Sequence, residues 1–188
     1  VHGYQLGDRL GTDHAGTRFV ARLPEVEGEF VVRCYRAAVA DEDVFVREFE
    51  ADSHRLASLR HPAIVPLHDS WRAPHEAYSV TPRFRSSLAE RLRAGRLRPD
   101  ELISLVERVG GALVAAAAAG LVHGNLGPAA VVYDDRDTPS VVDFLAGMRA
   151  PTGPHDDVAA FAVLLDQSID EATRRATPEL EALLEQVR

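Results

Sequence analysis

The sequence predicts an α+β fold in two lobes, the first mainly β with one helix, the second mainly α. Three observations carry that expectation. Short β-branched or alternating runs crowd the first third, with Gly, Pro or Asp between them. One stretch within that third has helical spacing instead. From about Ser87 onward, capping residues and apolar stripes of helical period dominate. No internal repeat or low-complexity linker interrupts the 188 residues. The chain therefore reads as one domain over 1–188, with a first lobe over 1–80 and a second lobe over 85–188.

The elements follow in order. Tyr4 to Leu10, Arg18 to Leu23 and Glu29 to Tyr35 are the first three strands. A helix is expected from about Asp41 to Leu59. Its acidic start suits the helix dipole, and Phe45, Phe49, Leu56 and Leu59 share one face. Ile64 to Leu67 and Ala77 to Val80 read as two more strands. Ser87 and Glu90 make a capping box for a helix that Gly95 stops. Pro99 suits the first position of a long helix that Gly120 ends, striped by Leu102, Leu105, Val106, Val109 and Leu113. The alanines at 115–119 favour helix and permit close packing. Strands at Ala130 to Tyr133 and Ser140 to Val142 come next, then helices at about Asp157 to Asp166 and Pro178 to Val187.

Composition excludes several classes. A net charge of −8 argues against a general nucleic-acid binder. No apolar run is long enough to span a membrane, and the start does not read as a signal peptide. The single cysteine, Cys34, allows no internal disulfide and fits a cytoplasmic setting. The chain begins at Val1 and is expected to be a domain of something longer. All 21 basic residues are arginine, so any chemistry that needs a lysine is closed to it. The spacing of His61 and His68 does not suggest a metal site. The dense run of Arg83, Arg85, Arg91, Arg93, Arg96 and Arg98 reads as a solvated face or as a docking patch for an acidic partner.

Four segments then occur in a telling order. They are Leu10-Gly-Thr-Asp-His-Ala-Gly16, Arg60-His-Pro-Ala-Ile-Val-Pro-Leu67, Gly120-Leu-Val-His-Gly-Asn-Leu-Gly-Pro128 and Val142-Asp-Phe-Leu145. In this order they resemble the glycine-rich loop, the "HPNIV" stretch, the catalytic loop and the "DFG" segment of bacterial, Hanks-type (eukaryotic-like) serine/threonine protein kinases, with actinobacterial wording. Asp157 to Leu165 resembles the family's core helix. The resemblance implies a protein-kinase-like two-lobe fold with a truncated C-lobe. Only eleven residues separate Leu145 from Asp157, so the activation segment is largely deleted, with Pro151-Thr-Gly-Pro154 as a shortcut turn.

Phosphoryl transfer needs a phosphate cradle, a cation, metal ligands and a base. In the nucleotide pocket that the resemblance implies, Gly11 and Gly16 remain, but the middle glycine is Asp13. Arg18 and Val31 replace smaller residues about the adenine, with Thr81 as gatekeeper. Arg33 stands in the place of the strand-three lysine, and its partner on the helix aligns with Asp52, with Glu48 as the alternative. In the catalytic loop His123 is kept, Asn125 replaces the base and Ala130 replaces the metal-binding asparagine. Asp143 remains and reads as a hydrogen-bonded structural aspartate, a metal ligand only if phosphoryl transfer survives. The hydrophobic spine maps to Leu56, Leu67, His123 and Phe144, anchored by Asp157.

The sequence thus leads to an expectation: a pseudokinase, not an enzyme, that regulates or scaffolds through a protein partner or adjacent domains of a longer signalling chain. It is expected to hold no ATP and no metal. The alternative is a divergent serine/threonine kinase with residual ATP binding or phosphotransfer, using Arg33 and Asp143.

Overall fold

The structure, a computed structural model, describes residues 1–41, 43–147 and 154–176. Its first lobe is a five-stranded antiparallel sheet of β1 (Gln5–Thr12), β2 (Gly16–Arg22), β3 (Phe30–Tyr35), β4 (Asp69–Ala73) and β5 (Glu76–Pro82). The strands lie in the order β1-β2-β3-β5-β4. A short α1 (Ala37–Ala40) and the longer α2 (Asp43–Ser58) cross between β3 and β4. Gly16 opens β2 because nothing larger fits there. A Cβ at that position would lie 2.1 Å from the Cys34 carbonyl oxygen on β3.

The second lobe holds a small sheet of β6 (Ser86–Ser87), β7 (Val131–Tyr133) and β8 (Pro139–Val141). Around it lie α3 (Leu88–Ala94), α4 (Pro99–Ala118), α5 (Pro154–Ser168) and α6 (Glu171–Ala176). The capping box forms as the sequence predicts: the Glu90 backbone N–H donates to the Ser87 hydroxyl, and the Ser87 N–H donates to the Glu90 carboxylate. Gly120 ends the long helix with φ of 72°, a left-handed conformation that glycine adopts without strain.

One apolar core runs through both lobes. Tyr35, Phe45, Phe49 and Leu56 come from the first, and Leu105, Val109, Val131, Phe144 and Leu164 from the second. Each such buried side chain contributes about 1.5–3 kcal/mol. A smaller cluster of Tyr4, Phe30, Val32, Tyr78 and Val80 packs on the other face of the first sheet.

Two expectations need correction or restriction. Ile64 to Leu67 is not a strand. Pro62 and Pro66 remove backbone donors on either side, so the segment makes only an isolated parallel bridge, Ile64 to Val141. Val65 donates to the Val141 carbonyl at 2.9 Å, and Val141 donates to the Ala63 carbonyl at 2.8 Å. This segment therefore ties the end of α2 to the second lobe. The strand that pairs with β5 is β4, whose Asp-Ser-Trp-Arg-Ala sequence lacks a clear alternating pattern. The helix expected at Pro178 to Val187 and the turn about Thr152 lie outside the described residues.

Candidate functional site

A cavity of about 240 Å³ opens between the lobes. Leu10, Val31 and Thr81 line it from the first sheet, and Ala129, Val132, Val142 and Asp143 from the second lobe. Arg18, Arg83, Arg85, Arg93 and Glu90 also line it. Its lining mixes apolar side chains with four arginines and two carboxylates, Glu90 and Asp143.

A cluster of ions built by three elements meets this cavity at Asp143 and Arg18. β3 supplies Arg33, only 2% exposed. The turn between β1 and β2 supplies Asp13. The segment after β8 supplies Asp143, which has φ of 69°, a left-handed conformation rare for a residue with a side chain. One terminal nitrogen of Arg33, Nη1, donates to both Asp13 oxygens at 2.9 Å. The other, Nη2, donates to Asp143 Oδ2 at 2.6 Å, and Nε reaches Asp143 Oδ1 at 3.4 Å. Arg18 Nη1 lies 3.6 Å from the same Asp143 carboxylate. Two guanidinium groups thus face two carboxylates. Burial pulls the Arg33 pKa down, but the adjacent Asp143 and Asp13 charges outweigh it and hold Arg33 above its ordinary value. Burial raises the Asp13 pKa, yet Arg33 and the Gly16 and Ala15 amides together bring it below the usual carboxylate range.

This arrangement corrects the expected Arg33–Asp52 pair. Asp52 bonds instead to Arg55 one turn along α2, and Glu48 and Glu50 are exposed. The reason is packing. The inner face of α2 is aromatic, with Phe45 and Phe49 at 5.1 and 5.7 Å from the Tyr35 ring, ring centre to ring centre. A carboxylate turned into that face would lose its hydration without gaining a partner. The sequence carried one cue to the true partner. Asp13 followed three residues later by Gly16 is an Asx-turn pattern, and Asp13 Oδ1 accepts from the Ala15 and Gly16 amides at 3.0 and 3.1 Å.

The other site residues form a different kind of neighbourhood. His123 is fully buried, and burial pushes its pKa down. Its Nε2 donates to the Val142 carbonyl at 2.8 Å, and its Nδ1 accepts from the Asn125 amide at 3.2 Å, so the ring is neutral with its proton on Nε2. Asp157 accepts from the His123 and Gly124 amides at 2.7 and 2.8 Å. The His123 and Phe144 rings lie 4.9 Å apart, Leu56 is in the same core and Leu67 packs against it. Ala130 is buried and offers only a methyl group. Gly11 pairs with Arg18 across the β1–β2 hairpin.

The arginine run is less free than its sequence implies. Arg91 bonds to Asp137, lies 3.6 Å from Glu101 and sits 3.7 Å above the Tyr133 ring. Arg83 bonds to Glu29, and Arg98 to Asp100 at 3.1 Å. His61 accepts from the Ala63 amide, and His68 packs 4.5 Å from the Phe30 ring, centre to centre. Among the described residues no three His, Cys, Asp or Glu side chains converge as a metal site. Among them, too, no helix is long and apolar enough to cross a membrane.

The architecture aligns with solved structures over most of the chain. A mutant form of the Mycobacterium tuberculosis PknI kinase domain superposes with a TM-score of 0.81 at 22% identity, covering 98% of this chain and 86% of that one. The PknI kinase domain itself gives 0.76 at 23% identity, covering 88% of this chain and 72% of that one. The fold is that of a protein kinase. It is α+β with a truncated second lobe, as the sequence predicted. No protein-family model matches the chain.

Curated relatives point the same way. A probable serine/threonine-protein kinase of Streptomyces coelicolor is 29% identical over 147 residues, 75% of this chain and 22% of that protein. Serine/threonine-protein kinase PkaB of the same organism is 29% identical over 153 residues, 80% of this chain and 33% of that protein. PknE of Mycobacterium tuberculosis is 27% identical, over 75% of this chain and 25% of that protein. The chain thus spans a third or less of the length of these relatives. These findings overturn the expectation that the chain is not an enzyme. Its relatives are named serine/threonine protein kinases and its structural neighbours are kinase domains, which point to an enzyme.

Proposed function

We propose that the chain is the kinase-fold unit of a divergent serine/threonine protein kinase that binds ATP between its lobes and retains slow phosphoryl transfer. The observation that carries this reading is Asp143. It lines the interlobe cavity beside the buried cation Arg33, in a fold shared with kinase domains. Val31, Val142 and Val132 supply apolar walls for the adenine ring, and Thr81 adds a small polar side chain on β5.

The residues fit a magnesium–nucleotide, though sparsely. Magnesium keeps several waters and needs only one or two carboxylates beside the phosphate oxygens. Asp143 supplies one; Ala130 supplies none. Bound there, the ion would neutralise phosphate charge. Arg33 would meet the phosphates as a fixed cation. Asn125 has no carboxylate, but the transition state of phosphoryl transfer is loose and asks more for positioning than for deprotonation. An amide can orient a hydroxyl by hydrogen bonding. Losing a general base lowers the rate by about 10²–10⁴-fold, so transfer is slow. ATP binding suits a cytoplasmic setting, and the natural partners are the other segments of a longer chain.

A thermal-shift titration tests this. ATP with magnesium at about 100 times its dissociation constant adds about 2.7 kcal/mol of stability. The shift is expected to disappear in Ala129→Trp, which fills the cavity from its exposed rim. No shift at millimolar ATP, or an equal shift in Ala129→Trp, overturns the reading.

A further inference from the structure

The Asp13 carboxylate is held by three donors of the kind that hold a phosphate. Two are backbone amides of one tight turn, Ala15 and Gly16, at 3.0 and 3.1 Å. The third is a guanidinium nitrogen that touches both carboxylate oxygens at 2.9 Å. Successive turn amides form an anion-binding concavity, and a guanidinium adds a charge-assisted bond. We propose that Asp13 is an internal occupant of the phosphate site: its carboxylate stands where a nucleotide phosphate would bind, and a di- or triphosphate nucleotide must displace it to enter. The inference rests on the nucleotide-binding reading above and adds to it a built-in competitor.

The receptor and the occupant differ in rigidity. Arg33 is 2% exposed and also held by Asp143, so it stays in place when Asp13 leaves. The Gly16 amide is fixed too, because its Cα packs directly against the Cys34 carbonyl. Asp13 is different. Its side chain is 28% exposed and sits at the tip of a hairpin whose β1–β2 register already shifts twice. A carboxylate tethered this way competes at high effective concentration. It therefore lowers apparent affinity by the fraction of time that the site is free. Without Asp13, Arg33 keeps one carboxylate and the cluster keeps its fold.

Calorimetric titration of the chain tests the point, using ATP, adenosine and inorganic tripolyphosphate against wild type, Asp13→Asn and Asp13→Gly. Both variants are expected to bind ATP and tripolyphosphate at least about tenfold more tightly than wild type, the gain of freeing a site mostly occupied from within. Adenosine, which has no phosphate, is expected to bind all three forms equally. Equal ATP affinity in all forms overturns the competitor and leaves the nucleotide reading intact. A matching gain for adenosine also overturns it, because Asp13 would then be closing the adenine pocket instead. No binding by any form overturns both readings. Circular dichroism and melting curves are expected to show folded variants; if both unfold, Asp13 is a structural tie and not a displaceable one.

Discussion

The two ends of the interlobe region are held together by different physics. Around His123, Phe144 and Asp157, the protein uses packing and hydrogen bonds that leave little unsatisfied. The histidine is neutral with a partner on each nitrogen, and Asp157 accepts two backbone amides. Around Arg33 it uses net charges, with Asp13 and Asp143 gathered on one guanidinium and Arg18 alongside. The contrast shows which part of a kinase frame tolerates rewriting. The packed end cannot change a residue without opening a void or orphaning an amide. The ionic end can change several, provided each buried charge finds an opposite one.

The sharpest way to break this comparison is to cut into each end in turn. Phe144→Ala removes a fully packed ring and is expected to cost about 3–5 kcal/mol in urea unfolding, with no rescue from salt or neighbouring charge changes. Arg33→Met leaves Asp13 without a guanidinium and Asp143 with Arg18 alone, and is expected to cost about 3 kcal/mol. Unlike the first loss, it should be largely recovered when Asp13→Asn and Asp143→Asn are added, because the burden is charge and not shape. Failure of that triple variant to recover would mean that the ionic end is shape-determined after all.

The smallest effect is a pH slope. His123 has a folded pKa below its ordinary value of 6.5, because burial disfavours the charged ring. Between the folded value and 6.5 the unfolded chain therefore binds a proton that the folded chain does not. Stability rises with pH across that window and falls as pH drops below 6.5, by at most about 1.4 kcal/mol per pH unit for one group. Asp13 runs separately: its lowered pKa keeps its contribution intact above about 3.8 and loses it only in stronger acid. Stability of wild type and His123→Gln measured from pH 7 to pH 5 should differ in slope, the variant being flatter. Equal slopes would place a proton on His123 in the folded state.

How much of this was readable in advance follows the same division. The capping box at Ser87 and Glu90 and the long helix from Pro99 obey local rules, so they stand in the sequence, whereas the spine residues come through the family resemblance. The partner of Arg33 does not. Asp13 is twenty residues upstream and Asp143 is 110 downstream, and only the folded sheet brings them to one guanidinium. Alignment with the family favoured Asp52, but the aromatic face of α2 excluded it, and no periodicity encodes that competition. The strand misplaced at Ile64 to Leu67 has a similar cause. Its apolar run reads as β, while Pro62 and Pro66 restrict it to one bridge. The arginine run shows the opposite error of sequence reading, since Arg83, Arg91 and Arg98 look like free surface charge but already have partners in the chain.

The central claim is that Arg33 exchanges a carboxylate of its own chain for a nucleotide phosphate. The Nε–Hε resonance of Arg33, followed by NMR during titration with magnesium and ATP, reports that exchange directly. A saturable shift of this resonance is expected in wild type, reached at lower ATP in Asp13→Asn. An Arg33 resonance that stays fixed while ATP binds, or through millimolar ATP without binding, would contradict it.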